Sequence, residues 1–258
     1  YRLGALGFLH LKQVTGGKIP ASGNEGFLDQ LAALRWVHDN IAVFSGDPDN
    51  VTVFGESSGA ESLGALLAMP QSKGLFRKAI LQSGASKCQP LDRAVMVAER
   101  FLSKLGLNGK DVDTLRSVSV EALIAAQTAL ATSGTPGVSA GNIGPVLDGE
   151  VLKEVPLDAF ERGSAKDITV LAGSNLEEGK LFSLMAGRDI LKIDEASMMQ
   201  RVKRLVPEQY AAGLIEKYRV ALAKRDLPVT PFEILSAIQG DGHFRMPNIR
   251  LCQFQEKL

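Results

Sequence analysis

At 258 residues, 45% of them hydrophobic, the chain is long enough to bury a sizeable core in one large α/β domain, and two independent domains are not required. Lys plus Arg and Asp plus Glu both number 29, so there is no net field to gather nucleic acid or an anionic membrane surface. No apolar run approaches the ~18 residues of a membrane span, and the two cysteines, Cys88 and Cys252, are too few for a disulfide scaffold and lack neighbours for a metal site.

Both cysteines are therefore expected as free, buried thiols, which favours a reducing compartment such as the cytoplasm. The chain opens on Y-R-L-G-A-L-G-F-L at residues 1–9, which already reads as core sequence. Upstream sequence is expected, and a secreted form stays open if a leader precedes Tyr1. Residues 29–40 place Leu31, Leu34 and Val37 at three-residue spacing, with Arg35 and Asp39 elsewhere. That predicts an amphipathic helix with His38 on its polar side and Trp36, the only tryptophan, in the core.

The turn formers Asp47, Pro48, Asp49 and Asn50 follow, and then Val51, Thr52, Val53 and Phe54, whose β-branched and aromatic side chains suit a buried central strand. Next comes Gly55-Glu56-Ser57-Ser58-Gly59. This G-x-S-x-G pattern places a serine on a strained strand-to-helix turn, with glycines on both sides giving the backbone room to bend. A bare match arises by chance in roughly one chain in six, so the flanks decide. Glu61 to Met69 reads as a helix closed by Pro70, and strand, turn and helix thus occur in the required order.

Further along, residues 79–84 read as a strand, 92–105 as a helix ending before Gly106, and 111–131 as helical. Residues 133–144 form a Gly/Ser/Thr-rich loop, 168–173 a strand, and 189–226 mostly helix. Such alternation predicts a mainly parallel sheet flanked by helices.

A serine nucleophile needs a base to take its proton and an acid to orient that base, in chain order serine, acid, histidine for this kind of turn. The strand ending at Gly173 leads into Ser174-Asn175-Leu176-Glu177-Glu178-Gly179. Catalytic groups collect where parallel strands end, so Glu177 and Glu178 are both candidates for the acid, with Asp148 a weaker one. Of the three histidines, His10 and His38 precede the serine. His243 follows a largely helical stretch rather than a last strand, and reads as a structural or surface residue.

Residues 23–62, running through L-R-W-V-H-D-N-I and G-E-S-S-G-A-E-S, closely resemble the type-B carboxylesterase/lipase family, which includes the cholinesterases. Further matching blocks are Y-R-L-G-A-L-G-F-L at 1–9, L-F-R-K-A-I-L-Q-S-G at 75–84, P-V-L-D-G-E-V-L at 145–152 and G-S-N-L-E-E-G at 173–179. The resemblance implies an α/β-hydrolase fold of class α/β, with residues 1–258 the central part of one domain. Residues 1–184 would form the sheet core and 185–240 a helical insertion after the acid.

The resemblance also implies a serine hydrolase of carboxylic esters, with Ser57 as nucleophile, Glu178 rather than Glu177 as acid, and the Ser58 backbone N–H as one oxyanion donor. Glu56 would lie on the buried side of the elbow in a hydrogen-bonding role. No cofactor or metal is implied, and the partner is a small-molecule ester; oligomeric state is not readable. A Gly-rich oxyanion loop and the catalytic histidine would lie outside these residues, so the 258-residue stretch alone is expected to fall short of full activity. The alternative is a non-catalytic or inactive, adhesion-type module of the same fold. Ser45 stands where the family often has Gly, a costly exchange if that site needs positive φ.

Overall fold

The structure is a computed structural model that describes residues 1–132, 143–185 and 187–257. Most of the loop expected at 133–144 lies outside the described residues.

Three helices and two strands carry the first part of the chain: α1 (Gly4–Phe8), α2 (Glu25–Asn40) and β1 (Thr52–Glu56), followed by α3 (Ser58–Ala68) and β2 (Lys78–Gln82). Next come β3 (Gln89–Pro90), α4 (Leu91–Lys104), α5 (Val112–Arg116), α6 (Val120–Thr132), β4 (Val146–Leu147), α7 (Pro156–Glu161) and β5 (Thr169–Gly173). The remainder is helical: α8 (Glu178–Met185), α9 (Glu195–Val202), α10 (Glu208–Ala223), α11 (Pro231–Gly240), a π-type turn at Asp241–Arg245, and α12 (Met246–Glu256). The expected elements are present with boundaries shifted by a few residues, the largest shift being α2, which starts at Glu25.

β1, β2 and β5 form a parallel sheet in the order β1-β2-β5, in register Phe54↔Ile80↔Leu171 and Gly55↔Leu81↔Ala172. One face packs on α3, whose Leu63, Leu66 and Leu67 are buried with Ala79, Leu81, Phe27, Phe76 and Phe160. A second cluster unites Leu9, Val97, Phe101 and Leu130. There α4 buries Ala94, Val97, Ala98, Phe101 and Leu102, the spacing of a helical stripe. A third, built from Met198, Val202, Ala211, Ile215, Phe232 and Leu235, holds α9, α10 and α11 together.

Four expectations need correction. Among the described residues β1 is at the edge of its sheet rather than the buried centre expected, and Phe54 is 77% exposed beside Leu171 at 66%. These two side chains share the face opposite α3, which no described element covers. Glu56 lies on that exposed face as well, with no hydrogen-bond partner among the described residues. Trp36 is 55% exposed, its ring 6.1 Å from Phe44, because the buried stripe of α2 runs through Phe27 and Leu31 instead. Both cysteines are free, but Cys252 is exposed and Cys88 half-buried.

Ser45 follows a 3₁₀ turn with φ 64° and ψ 20°, in the left-handed region. A Cβ there costs roughly 1 kcal/mol, partly offset by the looser unfolded chain that glycine gives. Ser45→Gly is expected to stabilise the protein by about 0.5–1 kcal/mol in urea unfolding, whereas Ser45→Val should destabilise it.

Candidate active site

Three strand ends converge on one edge of the sheet. Beyond β1 the Ser57 N–H donates to the Gln82 carbonyl at 2.8 Å, and beyond β2 the Ser83 N–H donates to the Gly173 carbonyl at 2.8 Å. The Asn248 side-chain amide from α12 donates to that same Gly173 oxygen at 2.7 Å. Ladder hydrogen bonds thus continue one residue past each strand, and they fix Ser57, Ser83 and the Gly173–Glu178 loop relative to one another.

Ser57 has φ 52° and ψ −119°, a sparsely populated conformation that costs a β-carbon-bearing residue on the order of 1–3 kcal/mol. Its carbonyl accepts the Glu61 N–H at 2.9 Å, which starts α3. The Ser58 N–H, at the head of that helix, has no acceptor among the described residues, as the first amides of a helix do not.

The surrounding glycines are unequal. A Cβ on Gly55 would come within 2.5 Å of the Gly59 backbone, and one on Gly84 within 2.8 Å of the Ser57 carbonyl. Gly59 itself faces open space, so the tight approach that sequence reasoning assigned to both motif glycines belongs to Gly55 and to Gly84 outside the motif.

The two candidate carboxylates diverge. Glu177 is exposed and ion-paired with Lys180 at 2.6 Å. Glu178, half-buried at the start of α8, accepts the Ser83 hydroxyl and the Asn175 N–H through Oε1, the latter at 2.7 Å. The reach back over three residues is that of a capping box and supports the helix start. Oε2 has no partner among the described residues. Asp148 is occupied differently: its Oδ1 accepts the N–H groups of Glu150, Val151 and Leu152, pinning a turn.

The histidines also separate. His10 is buried with Nδ1 2.6 Å from the Ser22 carbonyl, and His38 sits exposed beside Asp39. His243 is exposed in the π-type turn, Nδ1 3.1 Å from the Gln239 carbonyl. It is a surface histidine, as expected, yet it lines the same cleft as the serine.

That cleft, about 330 Å³, is bounded by Ser57, Ser58, Phe182, Ile190, His243 and Phe244, with the Phe182 and Phe244 rings stacked at 5.5 Å. A neighbouring hollow of about 540 Å³ reaches Phe8, Cys88 and Pro145, and shares Ser58, Glu61, Lys87 and His243 with the first. Both volumes suit a small organic ligand. Burial pushes the Cys88 thiol up, with the Asp158 charge adding to it, which disfavours its thiolate. Among the described residues no group of three or more His, Cys, Asp and Glu could hold a metal ion, and no helix is long and apolar enough to cross a membrane.

Sequence reasoning missed Ser83, Gly84 and Asn175, which fix the geometry, and the cleft wall of Phe182, Phe244 and His243. Ser83 carried a usable signal, since it ends a strand next to the elbow strand. The wall carried none, because it depends on how α8 and the turn after α11 fold back over Ser57.

The model of the carboxylesterase family matches residues 1–257. The chain is 46% identical over 182 residues to the para-nitrobenzyl esterase of Bacillus subtilis, covering 70% of this chain and 37% of that protein. It is 35% identical over 263 residues to the acetylcholinesterase of Electrophorus electricus, covering 96% and 40%. A solved Geobacillus stearothermophilus carboxylesterase superposes with a TM-score of 0.85 at 38% identity, covering all of this chain and 52% of that one. The chain thus spans 37% to 52% of the length of these relatives, and its architecture is that of an α/β hydrolase.

Proposed function

This chain belongs to the carboxylesterase family, and from that premise we propose that it carries the nucleophile and the acid of a serine esterase working through an acyl-enzyme on Ser57. The observation that supports this best is the strained Ser57 just past β1, with Glu178 anchored by Ser83 just past the neighbouring strand β2. A non-catalytic module of the same fold would have no use for that strain.

In this reading Ser57 loses its proton to a histidine oriented by Glu178 and attacks the ester carbonyl. The oxyanion is held by the Ser58 N–H with further backbone donors, the alcohol departs, and water then releases the acid. None of His10, His38 and His243 touches Glu178 among the described contacts, so in this reading the base is none of these three. The substrate is a small carboxylic ester whose bulk lies along Phe182 and Phe244.

Acyl-enzyme chemistry has a kinetic fingerprint. Stopped-flow mixing of the full-length protein with excess 4-nitrophenyl acetate is expected to release close to one equivalent of nitrophenolate per site in a burst, before a slower steady state. Turnover with no burst and no trappable acyl group would sink the acyl-enzyme assignment.

A further inference from the structure

The two hollows that flank Ser57 meet at a waist made of Ser58, Glu61, Lys87 and His243. Among the described residues, Lys87 and Arg201 line the lobe that holds Ser57, Lys87 and Arg93 line the other, and Glu61 is the only carboxylate on either wall. The chain as a whole balances 29 basic against 29 acidic residues, so two cations against one carboxylate on the wall of the lobe that holds Ser57 is a local excess of positive charge.

The charges also differ in availability. Glu61 lies one turn into α3 with its side chain only 18% exposed, and burial pushes its carboxyl up while Lys87 and His243 draw it back. Lys87 is 54% exposed and its Nζ stands 3.7 Å from Glu61, a charge contact longer than a hydrogen bond. Its ammonium therefore keeps donors for another acceptor. Arg201, on α9, makes no ion pair among the described residues. A cleft with an excess of one sign of charge and partly apolar walls focuses the field on an oppositely charged ligand.

We propose that this cleft selects esters that carry a carboxylate in addition to the ester group, with Lys87 and Arg201 as the specificity-determining residues; this rests on Ser57 being the nucleophile. A quaternary-ammonium ester is disfavoured by the same charges.

The test uses the full-length protein and two matched pairs: 4-nitrophenyl hydrogen adipate against its methyl ester, and 4-acetoxybenzoate against methyl 4-acetoxybenzoate. The first pair places the carboxylate on the acyl side, the second on the alcohol side. The readout is the ratio of kcat/KM, charged over neutral. In at least one pair the ratio is expected to reach about tenfold at low salt and to fall several-fold by 0.3 M NaCl as the charges are screened. Lys87→Met should lower it about tenfold, Lys87→Arg should retain it, and Glu61→Gln should raise it. The double variant Lys87→Met/Glu61→Gln controls for a carboxylate left without its cation, and should still lie well below the parent protein. Ratios at or below one in both pairs, with the neutral esters turned over, overturn the proposal and leave the esterase reading standing. No turnover and no burst with any ester removes both.

Discussion

Ser57→Ala in the full-length protein is expected to lower kcat/KM for 4-nitrophenyl esters by about 10⁴–10⁶-fold, the range seen when the nucleophile of a serine hydrolase is removed. Folding should survive, because Ser57 acts on its surroundings mainly through its backbone: its N–H donates to Gln82 and its carbonyl accepts from Glu61, and alanine keeps both. Ser57→Gly separates strain from chemistry. With φ at 52°, glycine relieves the crowding that a Cβ suffers there, so this variant should be equally inactive but more stable by roughly 1 kcal/mol in chemical denaturation. Stability bought at the expense of activity is the expected signature of a conformation kept for function. Loss of stability in both variants, with activity largely intact, would mark Ser57 as an ordinary turn residue.

Glu178→Gln should lower kcat by about 10³–10⁴-fold, because an amide cannot stabilise the imidazolium that forms beside the nucleophile and favours the wrong tautomer. Its neighbour supplies the control: Glu177 is turned to solvent and paired with Lys180, so Glu177→Gln is expected to stay within about twofold of the parent. Ser83→Ala removes one of the two donors to Glu178 Oε1. A hydrogen bond to a charged group is worth about 1.5–3 kcal/mol, which corresponds to an upper range of about 10–100-fold in rate. If Glu178 serves only as the cap of α8, Glu178→Gln would cost stability through the Asn175 N–H and leave kcat unchanged. Measuring kcat together with the unfolding midpoint for the three variants separates these roles.

Much of this site was legible in the sequence because it is locally encoded. The elbow is five consecutive residues between a β-branched run and a helix, and the proposed acid follows directly after an apolar strand, so position relative to strand ends was enough to narrow the candidates to Glu177 and Glu178. The difference in surroundings between those two rests on Ser83, 95 residues away along the chain, which meets Glu178 and not Glu177. Exposure was read less well. Phe54 and Trp36 look like core residues by type, but burial depends on what packs against the sheet face and on which stripe of α2 turns inward. Leu31 and Phe27 take that stripe. His243 was placed correctly at the surface, yet nothing local indicates that the π-type turn between α11 and α12 carries it to the mouth of the cleft.

The most direct measurement is peptide mass spectrometry of the full-length protein quenched during the burst with 4-nitrophenyl acetate. The expected result is an acetyl group on the peptide containing Gly55 to Gly59, localised by fragmentation to the Ser57 hydroxyl and absent from Ser57→Ala. Acetylation of a different residue that tracks turnover, or undiminished ester hydrolysis by Ser57→Ala, would contradict the assignment of Ser57 as nucleophile.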